Sequence, residues 1–370
     1  MERTFNMLSR PTSRLKRSSF APILLAMWFA LVGNNASADP VRSKLGQNLI
    51  NSGRYIEAIH VFSSIIADEP TAVDGYRGRI EAELLLGKFS DAVRDYARVT
   101  AFVFPVHPDA DVRIQAHYAA RLAKKPNDIP SLTGAGFATW WFFDYPSSID
   151  LTKKLLAVRP HDLFGNLFHG SSLLLLGINT KRGVKDLQRA IQLAPHSPDV
   201  RFIVADAYTY GLPDPDRAFA EAMHALMWGL DTPRIHAILA NAYLAFDEPL
   251  QAAAEFKMHI QLVTSELVPT TSMVSGDLMN LFLVPGRTYE IPIQVNAGTA
   301  INITTDSPSG DISDTIMVLL APDGTPVVGN DDYVDFFAGI DWTATDTGTY
   351  KLRVTSFESV GTGEFTVTFN

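Results

Sequence analysis

The sequence predicts a multidomain α plus β chain: an all-α solenoid followed by an antiparallel β-sandwich of jelly-roll type. Three observations carry that expectation. Gly53, Tyr55, Ala58 and Phe62 recur as Gly87, Phe89, Ala92 and Tyr96, each 34 residues further on, inside helical patterns. After Leu262 the hydrophobic period drops to two, the period of a strand with one buried face. Turn signals such as Pro285-Gly286, Asn296-Ala297-Gly298, Pro322-Asp323-Gly324 and Thr347-Gly348 then punctuate the chain closely, as short strands require. The division that follows is a leader over 1–38, a solenoid over 39–264, a linker over 265–277 and a sandwich over 278–370.

With 370 residues, 46% hydrophobic and 19% charged, the chain has the composition of folded protein and length for two or three domains. In the leader, Arg3, Arg10, Arg14, Lys16 and Arg17 precede an apolar run from Phe20 to Val32, and Ala36-Ser37-Ala38 follows as a small-residue cleavage site. These are the three parts of a secretory signal peptide. The run is short for a bilayer-spanning helix, which needs about 20 apolar residues; a retained anchor is the alternative. The expected location is therefore periplasmic or secreted, in a bacterium of Gram-negative type, with no membrane span after cleavage. The chain has no cysteine, which removes disulfides, thiolate metal sites and cysteine nucleophiles, and suits a periplasm better than a eukaryotic secretory route.

The solenoid carries more than a period. Leu45-Gly46, Ala58, Phe62 and Pro70 form one unit, and Tyr76, Gly87, Ala92 and Tyr96 belong to the next. Further on, Ala205-Asp206-Ala207-Tyr208 is echoed 35 residues later by Ala240-Asn241-Ala242-Tyr243, leading into Ala252 and Phe256. Small residues at fixed helical positions let neighbouring helices approach closely. This pattern resembles the tetratricopeptide repeat, with five to six helix pairs over 39–264 and a degenerate stretch over 98–160. The resemblance implies stacked helix pairs whose concave groove binds protein chains. It places Gln47, Glu81, Ser171, Asp206 and Asn241 on that groove, with Arg77 one turn before Glu81.

In the C-terminal part, Tyr289, Ile291, Ile293 and Val295 form one row of two-residue period, and Ile316, Val318 and Leu320 form another. Ala338, Ile340, Trp342 and Ala344 form a further row, then Tyr350, Leu352 and Val354, then Phe365, Val367 and Phe369. Each row occupies one face of a strand, and seven or eight such strands make a sandwich. Asp314 before the strand Thr315 to Leu320, Ala321-Pro322-Asp323-Gly324, Gly329-Asn330-Asp331-Asp332 and Gly363-Glu364-Phe365 follow in the order seen in the bacterial pre-peptidase C-terminal domain, which this segment resembles. The resemblance implies a non-catalytic module that binds a surface, a substrate or a partner.

Candidate sites are few. Asp331, Asp332 and Asp335, with Asp314, gather carboxylates whose mutual repulsion a cation would relieve; hard oxygen ligands suit calcium, the one cofactor expected. The other reading of the same residues is a solvated acidic turn with Asp capping main-chain groups. The run Trp140-Trp141-Phe142-Phe143-Asp144-Tyr145 packs between repeats or anchors a partner. Nine histidines all lie in the helical part, without H-E-x-x-H spacing, and neither G-x-S-x-G nor a phosphate-binding loop occurs. No catalytic residue is therefore expected. From Ser265 onward 14 acids face only Arg287, Lys351 and Arg353, while the solenoid is near neutral; neither half has the basic stripe that nucleic acid requires.

The resulting reading is an exported, non-catalytic adaptor: the groove takes a protein partner of the envelope or secretome and the sandwich a second surface. Two modest contacts on one chain then give avidity. The alternatives are a cell-wall polysaccharide binder using Trp342, Phe336 and Phe337, although alternation turns Trp342 inward, and a hydrolase with an unrecognised site.

Overall fold

The computed structural model describes residues 39–70, 72–99, 108–284, 286–307, 314–331, 337–357 and 363–370; the leader expected over 1–38 lies outside them. The helices are α1 (Pro40–Asn51), α2 (Tyr55–Asp68), α3 (Val73–Leu86), α4 (Phe89–Val99), α5 (Pro108–Lys124), α6 (Ile129–Trp141) and α7 (Tyr145–Val158). There follow α8 (Leu163–Leu175), α9 (Thr180–Leu193), α10 (Pro198–Asp206), α11 (Pro215–Met227), α12 (Pro233–Ala245) and α13 (Pro249–Val263), with a π turn at Ala207–Gly211 prolonging α10. No helix among the described residues is long and apolar enough to cross a membrane.

Local chemistry sets the starts of these helices. Asp39, Asp128, Asp144, Asp162, Ser197 and Asp214 each accept a first-turn N–H of the helix that follows, which satisfies a donor with no intrahelical partner. Proline in the first turn of many of them loses nothing, because its missing N–H would have been unpaired there. Gly87, at φ +83°, closes α3 in the left-handed conformation.

The repeat then follows from size. Phe62 of α2 lodges its ring between Gly46 of α1 and Gly78 of α3, where a methyl group on either glycine would overlap it. Tyr118 of α5 uses Gly134 of α6 in the same way, and its hydroxyl donates to the Leu84 carbonyl of α3. Among the described residues six helix pairs result: α1–α2, α3–α4, α6–α7, α8–α9, α10–α11 and α12–α13. The described part of the stretch 98–160, expected to be degenerate, holds one regular pair, α6–α7, preceded by α5, which among the described residues belongs to none of the pairs.

The strands are β1 (Glu266–Pro269), β2 (Leu278–Leu283), β3 (Arg287–Val295), β4 (Ala300–Asp306), β5 (Thr315–Leu320), β6 (Pro326–Asn330), β7 (Gly339–Thr343), β8 (Gly348–Ser356) and β9 (Gly363–Phe369). They form two sheets, ordered β1-β3-β8-β5-β6 and β2-β9-β4-β7, antiparallel throughout except for the parallel pair β1–β3. Tyr289, Ile291, Ile293, Ile301, Ile303, Leu352, Phe365 and Val367 fill the space between them. The segment 265–277, read above as a linker, is part of this domain: Glu266–Pro269 pairs with β3, and Met273 is buried and bridges Ile293. Four paired residues are too short a run for alternation to disclose a strand.

β5 ties the two halves together. All six of its residues are buried, because Met317 and Leu319 face the sandwich core while Ile316, Val318 and Leu320 face the solenoid. Opposite them stand Ala237, Ala240, Ala252, Ala253, Phe256 and Ile260 of α12 and α13. Phe256 rests on Gly329 of β6.

Candidate functional site

The six positions expected to line the groove are on first helices, as the repeat requires, but most are engaged within the chain. Gln47 of α1 and Glu81 of α3 are brought together by Arg113 of α5. Its Nε donates to Glu81 Oε1 at 2.7 Å and its Nη2 to Gln47 Oε1 at 2.9 Å and Glu81 Oε2 at 3.1 Å. Glu81 is left 1% exposed. Ser171 of α8 is fully buried and accepts the Trp140 indole N–H at 3.0 Å. Asp206 of α10 pairs with Arg234 of α12 at 3.2 Å; burial pushes its carboxyl up, and Arg234 opposes this. Asn241 of α12 donates to Asp331 of the sandwich at 3.3 Å. Arg77 differs: its Nη2 is buried with no hydrogen-bond partner among the described residues, and Asp74 is 3.9 Å away. Burial lowers its guanidinium to about 10.

Arg113 had no sequence signal, because it belongs to α5, outside the helix pairs. Aromatic residues complete the filling. Tyr96 of α4 lies edge-on to Trp140 at 4.9 Å and to Phe137 at 6.3 Å, Phe137 stacks on Phe168 at 4.7 Å, and Phe89 meets Phe164. Trp140, Trp141 and Phe142 are buried, so the aromatic run is core between repeats. The first helices α6 and α8 are consequently buried almost all round, where an open groove would leave one face wet.

A polar cleft of about 450 Å³ opens instead over α2, α3 and α4. Arg79 spans it, donating to both oxygens of Asp95 and to Ser63 Oγ at 3.1 Å, while Arg94, Arg98 and Lys88 stand around it. Glu83 is 5% exposed, its Oε2 has no hydrogen-bond partner among the described residues, and burial beside Asp95 pushes its carboxyl up to about 8.

At the seam, His259 of α13 is buried between two carbonyl oxygens, that of Pro233 at 2.8 Å from Nδ1 and that of Phe357 at 2.6 Å from Nε2. Burial holds its imidazole down to about 4, against the pull of those acceptors. Arg234 stacks over the rings of Tyr210 and Phe357, and His236 lies between Glu255 at 2.6 Å and Asp231 at 2.9 Å.

Of the acidic residues considered for calcium, Asp331 is 3% exposed at the seam and Asp314 precedes β5; Asp332 and Asp335 lie outside the described residues, as does Phe336. Among the described residues no group of three or more His, Asp or Glu side chains is placed to hold a metal. Trp342 is half-buried against Tyr350, 5.4 Å between rings, and Phe337 is half-buried.

A stack of helix pairs joined to a two-sheet sandwich defines the class by architecture: a repeat α-solenoid of tetratricopeptide-like form carrying a C-terminal β-sandwich. Residues 291–356 match the family model of the bacterial pre-peptidase C-terminal domain. No curated protein matches the chain. Among solved structures, a tetratricopeptide repeat protein from Parabacteroides merdae is 18% identical, with 65% of this chain and 84% of that one covered and a TM-score of 0.35. MamA from Desulfovibrio magneticus, in a form starting at its residue 41, is 17% identical, covering 49% and 94%, at a TM-score of 0.37. The pre-peptidase C-terminal domain of a Bacillus anthracis collagenase is 14% identical, covering 28% and 96%, at a TM-score of 0.24. At these identities and TM-scores, nothing about partners or activity passes from them to this chain.

Proposed function

We propose that the protein is an exported, non-catalytic adaptor that binds protein partners through its helical half and a second partner through its sandwich. The observation that carries this reading is the seam: the helical half and the sandwich share one apolar cluster, from Phe256 and Ile260 to Ile316 and Val318. Partners on the two halves are then held at a set separation, so avidity comes from fixed geometry and not from a flexible tether. Because the inner positions are engaged by Arg113, Trp140 and Arg234, the helical half offers Arg77 and the cleft around Arg79 and Glu83 as its polar contact points. Pull-down from a native envelope extract with the full chain, compared with Phe256→Ala and Arg77→Ala, tests this. Loss of one set of partners with Arg77→Ala and retention of the other supports two ends; no protein retained by the intact chain sinks it.

Calcium at Asp314, Asp331, Asp332 and Asp335 is a separate proposal, motivated by their carboxylate chemistry. Melting of the full chain with calcium and with chelator decides it: identical curves remove calcium. Retention on insoluble cell-wall glycan without any protein partner would move the reading to polysaccharide.

A further inference from the structure

Among the described residues the sandwich has four edge strands, and three are protected against pairing. β1 has four residues and ends in Pro269. β6 starts at Pro326 and lies under α13. β7 is short and carries Asp341. Proline, charge, brevity and cover are the usual devices that blunt an edge. β2 has none of them. Its six residues, Leu278 to Leu283, include no charge and no proline, and it pairs only with β9 among the described strands.

The ladder tells which main-chain groups lie on the open side. The Phe369 N–H bonds the Asp277 carbonyl, and the Tyr289 hydroxyl donates to the Phe282 carbonyl at 2.7 Å. By antiparallel alternation, Met279 and Leu281 turn their N–H and C=O toward β9, and Leu278 and Asn280 turn theirs outward. Those outward groups meet no partner among the described residues. Two apolar side chains stand on the outer face there, Leu278 60% and Phe282 50% exposed, on either side of Asn280.

We infer that β2 is the docking edge for an extended peptide segment of a partner protein, one that presents apolar residues to Leu278 and Phe282 and lysine or arginine beside them. Main-chain hydrogen bonds to Leu278 and Asn280 give such a strand its register, and alternate side chains give it specificity. The sign of the partner follows from charge. Asp277 precedes the strand, the exposed Glu364 stands opposite Phe282 in the register with β9, and residues 265–370 carry 14 acids against three bases. The same charge opposes a second copy of this domain at the edge. The inference rests on the adaptor reading and names the sandwich's half of it.

The probe is the peptide acetyl-Lys-Thr-Val-Thr-Val-Thr-Lys-amide, which places two valines between two lysines on one face, titrated into the full chain by fluorescence anisotropy. Binding that weakens with salt is expected, with amide hydrogen exchange slowed at Leu278 and Asn280. The counterpart with glutamate for lysine binds at least about tenfold more weakly. Asn280→Pro removes an outward N–H while leaving the β9 ladder intact, and weakens the lysine peptide by about tenfold, the loss of one main-chain hydrogen bond, at unchanged melting temperature. No binding, or equal binding of both peptides, overturns the inference, as does a concentration-dependent dimer that Asn280→Pro abolishes. Envelope partners still captured by a chain that binds neither peptide overturn the edge alone and leave the adaptor standing.

Discussion

Repeat-on-repeat contacts and the seam with the sandwich solve one problem in two ways. Within the solenoid, an aromatic ring of one helix enters the space left by glycines of its neighbours, as Phe62 does at Gly46 and Gly78. At the seam, an alanine-rich surface of α12 and α13 meets the row Ile316, Val318 and Leu320, and Phe256 projects onto Gly329. Polar pins then surround it: His259 to Phe357, Asn241 to Asp331 and Lys257 to Gly324. The difference shows that the sandwich stands where a further repeat would stack, covering the face that a terminal repeat otherwise leaves to solvent.

The strongest way to break that comparison is Phe256→Ala. A fully buried ring is lost from the seam, which costs about 4 kcal/mol, and one cooperative melting transition is expected to split into two. A single transition, shifted but unsplit, would show that the halves do not depend on this side chain for their coupling.

His259 tests the seam by pH. Its folded value of about 4 lies below the ordinary 6.5, so stability is full above 6.5. It is lost as pH falls toward 4, because the opened chain takes up a proton that the folded seam excludes. The loss reaches about 3 kcal/mol. Urea titrations at several pH values should show this slope, and His259→Gln should flatten it.

Glu83 sharpens the comparison from the solenoid side, with the opposite sign. Its carboxyl is raised from 4.5 to about 8, so the fold favours the neutral acid and loses stability as pH rises between those values. Glu83→Gln should stabilise at pH 8, by less than the roughly 4 kcal/mol that the full shift implies because solvent in the cleft screens the carboxyl, and leave stability at pH 4 unchanged. Equal effects at both pH values would mean that the carboxyl is charged in the fold.

The smallest effect belongs to the polar pins. Asn241→Ala removes one hydrogen bond across the seam, about 1 kcal/mol. Coupling with Asp331→Asn in a double-mutant cycle should account for most of that loss.

Much of the architecture was legible in the residues themselves. The 34-residue offset announced helix pairs, and Gly46, Ala58 and Phe62 fell where close packing needs them. The rows through Ile291, Leu352 and Val367 marked strands whose inner faces meet. Even β5 left a trace, since Thr315 to Leu320 is apolar on both faces, unlike a strand with one side in water. The groove was legible only as positions. Gln47, Glu81, Ser171, Asp206 and Asn241 are on first helices as expected, but what lies over them came from elsewhere in the chain.

Periodicity and composition determined which residues share a face, where helices and strands start, and that two folds follow one another. They could do so because helix and strand repeats, glycine clearance and capping are local. Tertiary structure alone decided that Arg113 occupies the groove positions, that Ile316, Val318 and Leu320 face helices, that 265–277 joins a sheet, and that β2 is the edge left unguarded. Each of these depends on partners distant along the chain, and a sequence pattern records that a face is apolar or polar without recording what will cover it.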